Sequence, residues 1–112
     1  MPINSRAGIK VNSFTVGEGQ DQILLLHCSL ASSRAWLPII GHLKDSLSVT
    51  AFDLPGHGMS QDWDYSSDYQ DSCLDISATF ISKPIHLVGH SFGATVALRV
   101  AHRYPNFVKS LS

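Results

Sequence analysis

The sequence has little of what marks a secreted, membrane-spanning or nucleic-acid-binding chain. Its two cysteines, Cys28 and Cys73, are too few for a disulfide framework and read as free, buried thiols of a cytosolic protein. The longest apolar run, Ile23 to Leu26, is four residues, against the roughly 20 that a bilayer-spanning helix needs. The opening Met1-Pro2-Ile3-Asn4-Ser5-Arg6 lacks the apolar core of a secretory signal, so the expected location is cytoplasmic. A net charge of −1, with acids and bases scattered, leaves no footprint for nucleic acid or an anionic membrane. No H-x-x-x-H or clustered Cys/His spacing is present, so neither a metal site nor a cofactor is expected. No G-x-G-x-x-G follows the first strand, which argues against a dinucleotide binder. Repeats and low-complexity segments are absent.

What remains is a 112-residue chain with 44% apolar residues, the size and content of one globular domain. Ile9 to Phe14 alternates apolar and polar positions, the period of a half-exposed strand, and Gly17-Glu18-Gly19 turns the chain. Ile23 to Leu26 is continuously apolar, as in a strand covered on both faces of a parallel sheet. Ser32 or Ser33 can cap a following helix with Trp36, Ile39, Ile40 and Leu43 at helical spacing, and Pro38 fits its first turn. Leu47 to Phe52 is the next strand. Ser67-x-x-Gln70 has the form of a capping box, and behind it Tyr69, Cys73, Ile76 and Phe80 share one helical face. Ile85 to Val88 is a short buried strand. Phe92 to Tyr104 is a largely apolar helix closed by Pro105, and Phe107 to Leu111 begins one more strand. Strands alternating with helices imply an α/β fold with right-handed crossovers. Ligands of such sheets sit beyond the carboxyl ends of the strands, which here means the loops after Leu26, Phe52 and Val88.

Gly89-His90-Ser91-Phe92-Gly93 has the pattern G-x-S-x-G between a strand and a helix. Placing a serine directly at that junction puts it on a tight turn, its hydroxyl held away from the backbone. Gly89 and Gly93 remove side chains that would collide where helix and strand meet, and the helix start brings free N–H groups to the same spot. Ala94, Ala97 and Ala101 keep the helix thin enough to lie close on the sheet.

The segment Ile85 to Tyr104 resembles the nucleophile elbow of the α/β-hydrolase superfamily. Asp53-Leu54-Pro55-Gly56-His57-Gly58-Met59-Ser60 resembles the D-x-P-G-H-G-x-S loop of that family, and Leu25-Leu26-His27-Cys28 its L-H-G. The three landmarks stand in the family's order. The resemblance implies a three-layer α/β/α sandwich with a mostly parallel sheet, cut short after the helix that follows the serine. It implies a serine hydrolase acting on a carboxylic ester or related small acyl substrate, with Ser91 the nucleophile. The oxyanion would be held by the backbone N–H groups of Phe92 and Ser29, with Leu30 the neighbouring alternative to Ser29. Cys28 stands where the family usually has glycine. Cysteine takes a positive φ less readily, so the loop is expected to follow a different path.

Neither triad partner is expected within the chain. The family's acid and base follow the serine at a distance, whereas His27, His42, His57, His86 and His90 precede Ser91 and His102 lies in the next helix. Asp53 reads as a brace for its loop, and His57 as a hydrogen-bonded loop histidine. Residues 1–112 are thus expected to form the N-terminal half of one hydrolase domain, inactive alone. Its open sheet edge should need the missing half, or self-association, to cover it. The alternative is a ligand-binding or receptor protein on a hydrolase scaffold.

Overall fold

The computed structural model describes residues 3–65 and 67–112. Six strands form one sheet in the order β1-β2-β4-β3-β5-β6. These are β1 (Ile3–Arg6), β2 (Ile9–Val16), β3 (Gln22–Leu26), β4 (Ser48–Phe52), β5 (Ile85–Gly89) and β6 (Val108–Leu111). β1, β2 and β4 pair antiparallel, whereas β4, β3, β5 and β6 run parallel. Among the described residues the α-helices are α1 (Leu37–Leu43), α2 (Tyr69–Ala78) and α3 (Phe92–Arg103), with 3-10 turns at Ser33–Trp36 and Pro105–Phe107.

The alternation of β3 builds two cores. Leu24 and Leu26 join Phe52, Ile85 and Leu87 on the face covered by Cys73 and Ile76 of α2 and by Val96, Ala97 and Val100 of α3. Ile23 and Leu25 join Val49 and Ala51 on the opposite face, under Ile40, Trp36 and Leu43. Helices on both faces of a mostly parallel sheet give the expected three layers. The second face is thinly covered: Ile39, expected on the packed side of α1, is 45% exposed, because Trp36, Ile40 and Leu43 already fill the stripe that meets β3 and β4.

The capping box expected at Ser67-x-x-Gln70 is displaced by one residue. Asp68 caps α2, its Oδ2 accepting from the Asp71 N–H at 3.1 Å. Ser67 Oγ instead pairs with Ser72 Oγ, and Gln70 reaches across to Thr95 Oγ1. A carboxylate accepts an amide bond and complements the positive helix end more strongly than a hydroxyl does, so Asp68 takes the cap. β1 has no apolar alternation to announce it: Ile3, Asn4 and Ser5 are exposed, and only pairing with β2 makes it a strand. Cys73 is buried but Cys28 is only half-buried, and neither forms a disulfide. No helix among the described residues is long and apolar enough to cross a membrane.

Candidate active site

The carboxyl ends of β3, β4 and β5 lie side by side, Leu26 in register with Gly89 and Leu25 with Ala51. The three loops expected to hold the chemistry therefore leave from one edge, and a network of buried polar contacts ties them together.

Asp53 is its centre. Its carboxylate accepts from the Ser33 N–H at 2.7 Å, from Asn12 Nδ2 at 2.9 Å and from the Met59 N–H at 2.9 Å. Burial alone would raise its pKa, but these donors outweigh it and hold the carboxyl below its ordinary range. Gly58 lies against this carboxylate with φ +51, where a Cβ would overlap the carboxyl group. Ser60 Oγ donates to the Asp53 carbonyl at 2.6 Å and accepts from the Asn12 N–H at 2.9 Å. The Asp, Gly and Ser positions of the loop motif are thus structural, and Asp53 is the brace expected from the sequence.

His27 is buried and bonded at both ring nitrogens. Nε2 accepts from the Leu54 N–H at 3.0 Å and Nδ1–H donates to the Cys28 carbonyl at 2.7 Å, which fixes the neutral Nδ1–H tautomer. Burial lowers its pKa, and the bond to Cys28 opposes that without cancelling it. A folded-state pKa below the unfolded value means that the unfolded chain takes up protons first as pH falls. Stability should therefore be constant above about pH 6.5, the unfolded histidine value, and decline below it. A second decline should follow below about pH 3.9, as Asp53 loses its ionised form. His27→Gln, which keeps an acceptor for the Leu54 N–H but does not titrate, should abolish the first decline and leave the second. Denaturant melts from about pH 2 to about pH 8 check both declines.

Ser91 stands between β5 and α3 with φ 54 and ψ −112, a conformation that L-residues rarely occupy. It is exposed, and its hydroxyl makes no capping hydrogen bond to α3. The flanking glycines are required by contact. A Cβ on Gly93 would fall on the Leu26 carbonyl oxygen and 2.6 Å from that of His27. One on Gly89 would lie 2.5 Å from the Gly93 carbonyl oxygen and 2.6 Å from Ala94 Cα. The His90 N–H donates to the Leu26 carbonyl at 3.1 Å, pinning the turn to β3.

The loop after β3 holds one left-handed residue among those described. The left-handed residue is not Cys28 but Leu30, with φ 65, in a turn closed by the Ala31 N–H on the Cys28 carbonyl at 3.3 Å. Leu30 is 98% exposed. Among the described residues the amides of Ser29, Leu30 and Phe92 donate to no acceptor, so three backbone donors stay open at this edge. The histidines are dispersed. His57 is half-buried, its Nδ1–H directed to the Pro55 carbonyl at 3.0 Å, with its ring 5.1 Å from that of His27. His86 Nδ1 pairs with Ser110 Oγ at 2.6 Å, while His42, His90 and His102 are exposed. The described residues contain no group of three or more His, Cys, Asp or Glu able to hold a metal ion. The feature that sequence reading passed over is aromatic: Trp63, Tyr65 and Tyr69 gather beside His57.

A mostly parallel sheet in this order, with a serine on a strained strand-to-helix turn above its carboxyl edge, defines an α/β protein of the hydrolase type. The chain belongs to the alpha/beta hydrolase family, whose profile matches residues 23–111. It is 29% identical to an (E)-2-((N-methylformamido)methylene)succinate hydrolase of Acinetobacter baylyi, covering 88% of the chain and 38% of that protein. It is 34% identical to a pimeloyl-[acyl-carrier protein] methyl ester esterase of Hamiltonella defensa, covering 88% of the chain and 37% of the relative. Among solved structures it is similar to a meta-cleavage product hydrolase from Pseudomonas fluorescens IP01. The TM-score is 0.87 at 30% identity, over 99% of this chain and 43% of the other. The chain therefore spans less than half the length of each.

Proposed function

We propose that this chain is the N-terminal half of a serine hydrolase domain that cleaves a small carboxylic ester or related acyl compound through an acyl-enzyme on Ser91. The carrying observation is Ser91 itself, its backbone held at φ 54, the residue exposed and its side chain making no cap bond to α3. Strain of about 1–3 kcal/mol at such a residue persists only where the surroundings enforce it. Here Gly89 and Gly93 enforce it by letting α3 touch β3 and β5. In this reading Ser91 Oγ attacks the substrate carbonyl, and the open amides of Phe92 and Ser29 receive the developing oxyanion. The acid and the general base come from sequence outside these 112 residues. The relatives named above, a methyl ester esterase and two hydrolases, support the reaction class.

Two measurements test this. A fluorophosphonate probe applied to the protein carrying the whole domain should label Ser91 rapidly, because only an activated serine reacts so. A site that binds ligand without labelling would instead make the protein a receptor on this scaffold. The 112-residue chain by itself should give no Ser91-dependent turnover of p-nitrophenyl acetate above a Ser91→Ala control, since a serine without its base loses most of its rate advantage. Robust Ser91-dependent turnover by the chain alone would place the base among these residues.

A further inference from the structure

The loop between β4 and α2 carries a second feature that the hydrolase chemistry does not use. Pro55, Gly56, His57, Asp62, Trp63, Tyr65 and Tyr69 line a cavity of about 350 Å³. Its rings form one cluster: Trp63 lies 4.3 Å from Tyr65 and 5.4 Å from Tyr69 between centroids, the latter edge to face. Two of the rings are fixed from behind. Trp63 Nε1–H donates to the Ser67 carbonyl at 3.1 Å, and the Tyr69 hydroxyl donates to the Pro55 carbonyl at 2.7 Å. Their polar groups are thereby occupied, so these two rings are presented with little ordering cost when a ligand arrives, whereas Tyr65 is 80% exposed.

The electrostatics of this wall have one sign. No Lys or Arg occurs between Lys44 and Lys83, whereas seven of the chain's nine Asp and Glu fall in that stretch. Acids and bases are thus segregated along the chain, not scattered as the net charge of −1 suggests. Arg99 reaches back to Asp71 and Asp68, leaving Asp62 at the cavity with no ion pair among the described residues. Aromatic faces attract cations through their quadrupole, tryptophan most strongly, and a carboxylate adds Coulombic attraction. An anionic ligand is disfavoured by this combination, and a neutral one gains only apolar burial and stacking from it.

We propose that this cavity binds an organic ammonium group, held by Trp63, Tyr65 and Tyr69 and charge-matched by Asp62. The Tyr69 ring lies 5.7 Å from the Phe92 ring, and Phe92 follows Ser91, so the cavity adjoins the elbow. On the hydrolase reading the cation therefore belongs to a substrate of Ser91.

The test requires no Ser91 chemistry, so its failure leaves the hydrolase reading standing. Tetramethylammonium chloride is titrated against the chain carrying Trp36→Phe, in which Trp63 is the sole remaining indole, at ionic strength matched with sodium chloride. The expected result is a saturable fluorescence change with a Kd near about 1 mM. The neutral isostere tert-butanol should bind at least about tenfold more weakly, and Asp62→Asn should weaken the cation about fivefold. Saturation-transfer NMR on tetramethylammonium protons gives the same reading on the unaltered chain, and Trp63→Leu should erase it. Equal binding of tert-butanol, an unchanged Asp62→Asn variant, or no saturable signal by either method overturns the proposal.

Discussion

Replacing Ser91 by alanine in the protein carrying the complete domain should lower kcat/KM on a p-nitrophenyl ester by about 10⁶ and abolish fluorophosphonate labelling. The size follows from the proposed role. Oxyanion donors and substrate binding survive the change, but with no acyl-enzyme only the slow reaction of water remains. A residual rate within about tenfold of the parent would remove Ser91 from the mechanism. Ser91→Gly separates chemistry from folding. The native φ of 54 is strained for serine and open to glycine, so this variant should be equally inactive yet more stable by about 1 kcal/mol. A thermal melt reads the second effect and an ester assay the first. The two moving in opposite directions is what a residue strained for chemistry requires.

Gly93→Ala should cost about 3 kcal/mol or more of stability, a large part of what a domain of this size possesses. Its added Cβ would meet the carbonyl oxygens of Leu26 and His27, which are backbone atoms of the central strand and its extension and cannot rotate aside. Relief requires α3 to lift off the sheet, opening the contacts of Val96, Ala97 and Val100. Gly41→Ala is the internal control. Gly41 lies in α1 with no atom within 4 Å of an added Cβ, so there alanine should stabilise by about 0.5–1 kcal/mol through helix propensity and chain entropy. Denaturant melts of both variants check the pair. Equal effects would mean that the close approach at Gly93 is not what holds α3 to β3.

The Gly58 position illustrates how a motif is legible before its reason is. The string Asp53 to Ser60 reads as a family loop from sequence. Only the structure shows that Asp53 binds the Ser33 N–H and the Asn12 side-chain amide from two other segments, that Gly58 leaves room for its carboxylate, and that Ser60 closes the loop onto β2. The capping of α2 shows the reverse case. Two local patterns compete at Ser67 and Asp68; the Asp68 carboxylate takes the Asp71 amide, and Ser67 Oγ turns to Ser72 Oγ instead. Ser72 lies outside the four-residue pattern from Ser67 to Gln70. The aromatic cavity escaped sequence reading because Trp63 and Tyr65 lie in an irregular loop with no repeat to betray it, while Tyr69 reads only as part of the packed face of α2.

By itself the sequence determined the layer architecture and the strand-to-helix turn that carries Ser91. Short, largely apolar strand segments, alternating with amphipathic helices, leave few foldings besides a covered parallel sheet. A serine between two glycines at a strand-to-helix junction marks where that sheet presents a hydroxyl. The tertiary structure decided what depends on distance between segments far apart in the chain. It placed the left-handed residue of the β3 loop at Leu30, held His27 in one tautomer, and set an acidic ring-lined cavity beside Phe92. Periodicity is a property of neighbours along the chain, whereas strain, tautomer and field belong to neighbours in space, which exist only once the sheet has formed.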